Sequence, residues 1–201
     1  MTNNNLRVLK TKRKLLDALV ELKREDQKKI TISKLIQRAH ITRGTFYIHY
    51  HDCDDFFHAI NIQIVEELFG ACMVKDENGQ EHFSILKAML HIQNDHLVFE
   101  TLLADQRDDC LYQCIEERLR HDIMKFIKVH DYTGQDPLLL ELKATIFMGA
   151  IFNVIYDWLA NGMIYNAAYL ANVIEKALDQ MVTDMGNTNW QMFYKGNVVT
   201  E

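Results

Sequence analysis

Three helix-start signals follow one another closely in "KKITISKLIQRAHITRGTFYIHYHDCDD", residues 28 to 55. Thr31 suits the N-cap of one helix, Thr42 that of a second and Asp52 that of a third, because a short oxygen-bearing side chain there accepts a first-turn amide. Ile30 and Ile41, one residue ahead of the two threonines, are placed to staple onto Leu35 and Phe46. About three residues separate the end of the first helix, near Ala39, from the next cap at Thr42, which is the linker of a helix-turn-helix. His40 stands where such a linker favours glycine, and histidine tolerates the left-handed backbone better than most residues.

The rest of the chain reads as helix as well. One proline and eight glycines in 201 residues leave few breaks. In "LRVLKTKRKLLDALVELKRE", residues 6 to 25, Leu9, Leu15, Leu16, Leu19 and Leu22 recur near helical spacing. After Asp52 the pattern predicts helices over about 53–73, 82–92, 95–104, 107–130, 137–161 and 166–185. They are punctuated by the polar turn "KDENGQ", by Asp136 capping a helix with Pro137 in its first turn, and by the stop Asn161-Gly162. The tail from Gly186 has no clear periodicity. The expected fold is all-α: a three-helix head over 1–51, a larger helical body over 52–186 and a tail over 187–201.

Charge separates head from body. Residues 1–51 hold 12 Lys and Arg against 4 Asp and Glu, a net +8, while residues 52–201 hold 10 against 24, a net −14. A basic head on an acidic body predicts that the head meets a polyanion and the body something else. The N-terminus lacks the apolar core of a signal peptide. The longest uncharged apolar run, Ala144 to Tyr156, falls short of the roughly 18 residues of a membrane span. Cys53, Cys72, Cys110 and Cys114 have neither metal-finger nor secreted spacing. A cytoplasmic protein without a membrane partner is the expectation.

On a helical wheel for residues 42–50, Phe46 and Tyr50 fall on one side, and Gly44, Thr45, Tyr47 and Ile48 occupy the other. The first pair is predicted core. The outward set, with Arg43 in the first turn, has the small residues and long donors of a recognition helix. Arg43 suits a guanine edge, Tyr47 and His49 suit phosphate, and Thr31 and Ser33 stand where the preceding helix would meet the backbone.

The stretch "ISKLIQRAHITRGTFYIHYHDCDDFF" resembles the signature of the TetR family of transcriptional regulators, over about residues 7–60. The resemblance implies that Thr42, Arg43, Gly44, Thr45, Tyr47 and His49 contact double-stranded operator DNA and that Phe46 and Tyr50 pack. It also implies a small-molecule effector sensed between body helices, for which Phe83, Leu86, Met89, Phe99, Leu103, Phe147 and Met148 are candidate apolar lining. Where the family often has lysine after the cap of the fourth helix, this chain has Cys53. "NVIYDWLANGM", Asn153 to Met163, is similar to regulators of the dihydroxyacetone kinase regulator type. That likeness implies an alternative, a coactivator working mainly through a protein partner.

The helix from Pro137 to Asn161 is apolar on more than one face, through Leu138, Leu142, Ile146, Phe147, Ile151, Phe152, Ile155, Trp158 and Leu159. The second face is either buried within a large monomer or paired in a homodimer built from helices near 137–161 and 166–185; the dimer is the expectation, as a palindromic target would require. Cys110 and Cys114 at i and i+4, with His91, His96 or His121 as distant candidates, are the one arrangement that would suit a metal or redox site. Buried thiols that behave as small hydrophobes are the simpler reading, and His82 and His130 likewise read as surface or core. There is no glycine-rich phosphate loop, nucleophile elbow or ordered acid-base set, so neither enzyme activity, metal nor cofactor is expected.

Overall fold

A computed structural model describes residues 3–25, 30–79, 81–103, 111–129, 137–184 and 194. In chain order they form α1 (Asn3–Arg24), α2 (Ile32–Arg38), α3 (Arg43–His49), α4 (Cys53–Cys72), β1 (Met73–Lys75), β2 (Glu81–Phe83), α5 (Ile85–Asn94), α6 (His96–Leu103), α7 (Leu111–Val129), α8 (Pro137–Ala160) and α9 (Ala167–Asp184). The chain divides into two units, Met1–Ile64 with Leu97–Leu111, and Val65–His96 with Tyr112–Glu201.

In the first unit, α1 turns Leu15, Leu16, Leu19 and Leu22 into the core and packs on α2. Burying each leucine contributes about 2 kcal/mol. Leu9, expected on that face, is exposed instead, because it lies ahead of the part of α1 that the core of the unit covers, where Leu15 is the first of these leucines to be buried. Arg38 at the end of α2 reaches α1, donating to Glu21 (3.2 Å) and Glu25 (2.8 Å). The hydrogen bond from Arg38 holds the Glu25 carboxyl below its ordinary range. Phe56, Phe57 and Ile60 of α4 and Phe99 and Leu102 of α6 complete this core.

The three expected caps form. Thr31 Oγ1 accepts from Lys34 N (3.4 Å) and Thr42 Oγ1 from Thr45 N (3.1 Å). Asp52 Oδ1 accepts from Asp55 N (2.9 Å), and Asp55 Oδ2 reaches back to His51 N (2.8 Å). Helix α2 ends in a Schellman motif: Ile41 N donates to Ile36 O (3.1 Å) and His40 N to Gln37 O (3.3 Å). His40 carries the left-handed residue at φ 51. His40→Gly is expected to stabilise the first unit by about 1 kcal/mol, read as a higher denaturant midpoint at unchanged slope; a lower midpoint would contradict this account of the linker.

The second unit departs from the all-helix expectation at one place. Glu81–Phe83, expected within a helix beginning near 82, is a strand pairing antiparallel with Met73–Lys75 in the register Met73↔Phe83, Val74↔His82, Lys75↔Glu81. The expected polar turn is the hairpin loop. Asp76 Oδ1 accepts from Asn78 N (2.9 Å), Asp76 O accepts from Gly79 N (2.9 Å), and Gly79 takes φ 81. The helix begins one turn later, at Ile85, with Ser84 Oγ accepting from Lys87 N (3.3 Å). Three-residue strands are too short for their alternation to separate from helical spacing.

Helix α5 packs on α9. Gln93 Oε1 accepts from Ala167 N (3.2 Å) and Asn166 Oδ1 from Tyr169 N (2.8 Å), so the start of α9 is fixed. On α7, Arg118 donates to Glu66 (2.7 Å) and Asp122 (2.8 Å), with its guanidinium 4.9 Å from the Phe69 ring centre. Helix α8 shows the two faces that its sequence implies: Met148, Trp158 and Leu159 are buried, while Leu138, Leu142 and Ile146 are exposed, Ile146 at 65%. It ends at the expected stop, with Gly162 at φ 73. In the tail, Tyr194 is buried and donates to Asp179 of α9 (2.8 Å). Cys110, His130, Asp136 and the remainder of the tail lie outside the described residues. No helix of the described residues is long and apolar enough to cross a membrane.

Candidate nucleic-acid interface

The face in question is built by the core beneath it. Phe46 is 0% exposed, with ring centres 5.4 Å from Tyr50 and 6.1 Å from Phe56, and Tyr50 meets Phe56 edge-on at 5.2 Å. These aromatic contacts add to the burial itself and fix the rotation of α3 about its axis. Burial pushes the Tyr50 hydroxyl up to about 12; it has no hydrogen-bond partner among the described residues, so Tyr50 serves packing, as expected.

With Phe46 and Tyr50 turned inward, α3 presents Thr42, Arg43, Gly44, Tyr47 and Ile48 as exposed residues, with Thr45 and His49 half-buried beside them. On the preceding helix, Ser33 is exposed and Thr31 half-buried. The eight residues singled out in the sequence therefore all lie on α2, α3 or their caps. The Thr42 and Thr45 hydroxyls share a hydrogen bond of 2.8 Å while Thr42 caps the helix, so part of their capacity is already used within the chain.

Arg43 and Tyr47 form a unit of their own. Arg43 Nη2 donates to the Tyr47 hydroxyl (3.3 Å), and the guanidinium carbon lies 5.5 Å from the ring centre. Pairs at i and i+4 meet in this way on a helix, and resting on the ring restricts a side chain that otherwise loses much entropy when it is ordered. Most of the guanidinium donors remain available for a planar, bidentate acceptor.

Gly44 explains itself only from outside. It has no left-handed φ, and a Cβ placed on it would meet only Thr42 Oγ1 at 3.8 Å, an ordinary contact. The fold has no need of glycine in this exposed first turn, where alanine is the better helix former. Gly44→Ala is accordingly expected to raise stability by about 0.5–1 kcal/mol and, if this face is the one that meets DNA, to weaken that binding about tenfold, since a methyl would enter it. A thermal melt and an anisotropy titration of the same preparation check both signs; unchanged affinity would remove the close-approach role.

Ile48, one turn beyond Gly44, lies outward as the wheel places it, though no contact is assigned to it there. At 78% it is the most exposed of the chain's large hydrophobic residues in the described structure. An apolar side chain on such a face suits the thymine methyl group in a major groove. The signal available in the sequence was its position opposite Phe46.

Of the candidate apolar lining residues, Leu86 is exposed, Met89 and Met148 are buried in the second unit and Phe99 is buried in the first. Cys114 is half-buried, and no group of three or more His, Cys, Asp or Glu that could hold a metal ion occurs among the described residues.

No family model and no curated protein matches the sequence. Among solved structures, the chain is similar to the fatty acid degradation regulator FadR from Bacillus halodurans, at 14% identity and a TM-score of 0.59, covering 83% of this chain and 96% of that one. It also aligns with a gamma-butyrolactone receptor, an ArpA-like protein, at 18% identity and a TM-score of 0.43, covering 86% and 99%. The likeness to FadR shows a shared overall fold, which in this chain is mostly helical with the helix-turn-helix elements α2 and α3 near its N-terminal end.

Proposed function

We propose that this chain is a DNA-binding transcriptional regulator of the TetR type, acting as a dimer on a palindromic operator. Residues 1–51 read DNA, residues 52–186 sense a signal and dimerise, and residues 187–201 form a tail. The observation that carries this is the outward face of α3, where Arg43 is propped on Tyr47 beside a glycine that the fold itself does not require. In this reading Arg43 contacts a base edge, Gly44 and Thr45 permit close approach, and Tyr47, His49, Thr42, Thr31 and Ser33 hold phosphates.

Support for the dimer comes from α8 and α9, where Leu142, Ile146, Tyr169 and Val173 are exposed apolar side chains on the two helices expected to pair. A small-molecule effector that binds one conformation of residues 52–186 better would change the fit of two heads to successive grooves, by population shift. FadR is named as a regulator of fatty acid degradation, and the present chain is proposed to regulate transcription on the same kind of scaffold.

Hydroxyl-radical footprinting on the DNA upstream of the chain's own gene tests the proposal. The expected result is two protected patches centred about one helical turn, or a whole number of turns, apart on sequence with dyad symmetry. A single patch, or uniform weak protection, would contradict it.

A further inference from the structure

We propose that Arg7, Lys10 and Lys14 on α1 form a second phosphate-binding row, separate from α3, which takes the backbone of double-stranded DNA. This rests on the DNA-binding reading above and adds to it a site on a different helix. The three residues are exposed and stand at i, i+3 and i+7, one stripe of the helix. Their span is about 10 Å at 1.5 Å per residue, which covers roughly three phosphates of one strand at 3.4 Å each.

Within the chain this row is unfavourable. The first acidic residue of the sequence is Asp17, so α1 carries cations and no anion ahead of that position. Lys10 and Lys14 are like charges one turn apart, and so are Arg7 and Lys10. The one carboxylate within a turn of them, Asp17, holds Arg13 at 3.2 Å, and Glu21 and Glu25, which hold Arg38, lie about two turns or more beyond Lys14. No carboxylate among the described residues pairs with Arg7, Lys10 or Lys14. Further along the same stripe, Asp17 and Glu21 bring charge balance, so the uncompensated part is confined to the first half of α1. A local arrangement that costs stability without an internal partner marks a functional surface, and a regularly spaced polyanion is the partner that such a row fits.

The test uses the full chain and three proteins: wild type, the triple variant Arg7→Gln, Lys10→Gln, Lys14→Gln, and a charge-matched control, Lys75→Gln, Lys87→Gln, Lys176→Gln. Anisotropy titrations of a random-sequence duplex and of the upstream DNA are run across a salt series. The triple variant is expected to lessen the slope of log affinity against log salt by about two to three, at about 0.9 per phosphate contact, equally on both DNAs. Its melting temperature should match or exceed that of wild type, which shows that the head still folds.

A triple-variant slope equal to the control's, while Arg43→Ala still abolishes sequence preference, overturns this row and leaves the DNA-binding reading standing. Wild type without affinity for either DNA overturns both. If the triple variant loses binding to phosphatidylglycerol vesicles but keeps the wild-type DNA slope, the row serves a membrane surface and the proposal is overturned.

Discussion

Phe46→Ala is expected to cost the first unit about 3–5 kcal/mol, the range for removing a buried phenyl ring and leaving its cavity. Phe46 is fully buried and faces Tyr47, Tyr50 and Phe56 at ring-centre distances of 5.6, 5.4 and 6.1 Å. No neighbour can fill that space without leaving its own place among the rings. The short helices α2 and α3, seven residues each, cannot persist alone, since isolated helices below about 12 residues are marginal in water. Amide exchange should therefore rise across α2 and α3, and DNA binding should be lost with the fold of the head. Phe46→Leu, which keeps most of the volume, should cost less than about 1.5 kcal/mol. A Phe46→Ala protein that unfolds within about 1 kcal/mol of wild type would show that the aromatic cluster does not set the position of α3.

Arg43→Ala has the opposite signature, with large loss of function and little loss of stability. The side chain is exposed and rests on Tyr47 within its own helix. A bidentate contact to a base carries about 1–3 kcal/mol of discrimination, and the proposed symmetric dimer would lose it in both half-sites. Specific affinity should fall on the order of a hundredfold or more, while random-sequence affinity changes little and the melting curve stays in place. Tyr47→Phe removes only the hydroxyl that steadies Arg43 and should fall between wild type and Arg43→Ala. If Arg43→Ala weakens specific and random DNA by the same factor, Arg43 is a phosphate contact and the base reading belongs to another residue.

How far the sequence carried these conclusions differs from part to part. The caps at Thr31, Thr42 and Asp52, the left-handed His40 and the inward turn of Phe46 and Tyr50 follow from local chemistry, since each involves residues within one turn of each other. The hairpin at 73–83 was hidden because its pairing joins two segments across a loop, and three residues on each side give no usable period. Exposure of Leu9 was likewise outside local reach, for it depends on where the core of the first unit ends. In the candidate interface, the Arg43–Tyr47 pair and the prominence of Ile48 emerged only with side-chain positions. The engagement of Glu21 and Glu25 by Arg38 required knowing that α2 lies against α1.

Reading of a DNA sequence by the outward face of α3, as proposed, is tested by the affinity of the purified protein for its own upstream DNA beside a shuffled duplex of the same length, across a salt series. The expected result is a preference of at least about a thousandfold near physiological salt, with log affinity falling linearly as log salt rises, by about 0.9 per phosphate neutralised. Equal affinity for the two duplexes at every salt concentration would contradict it.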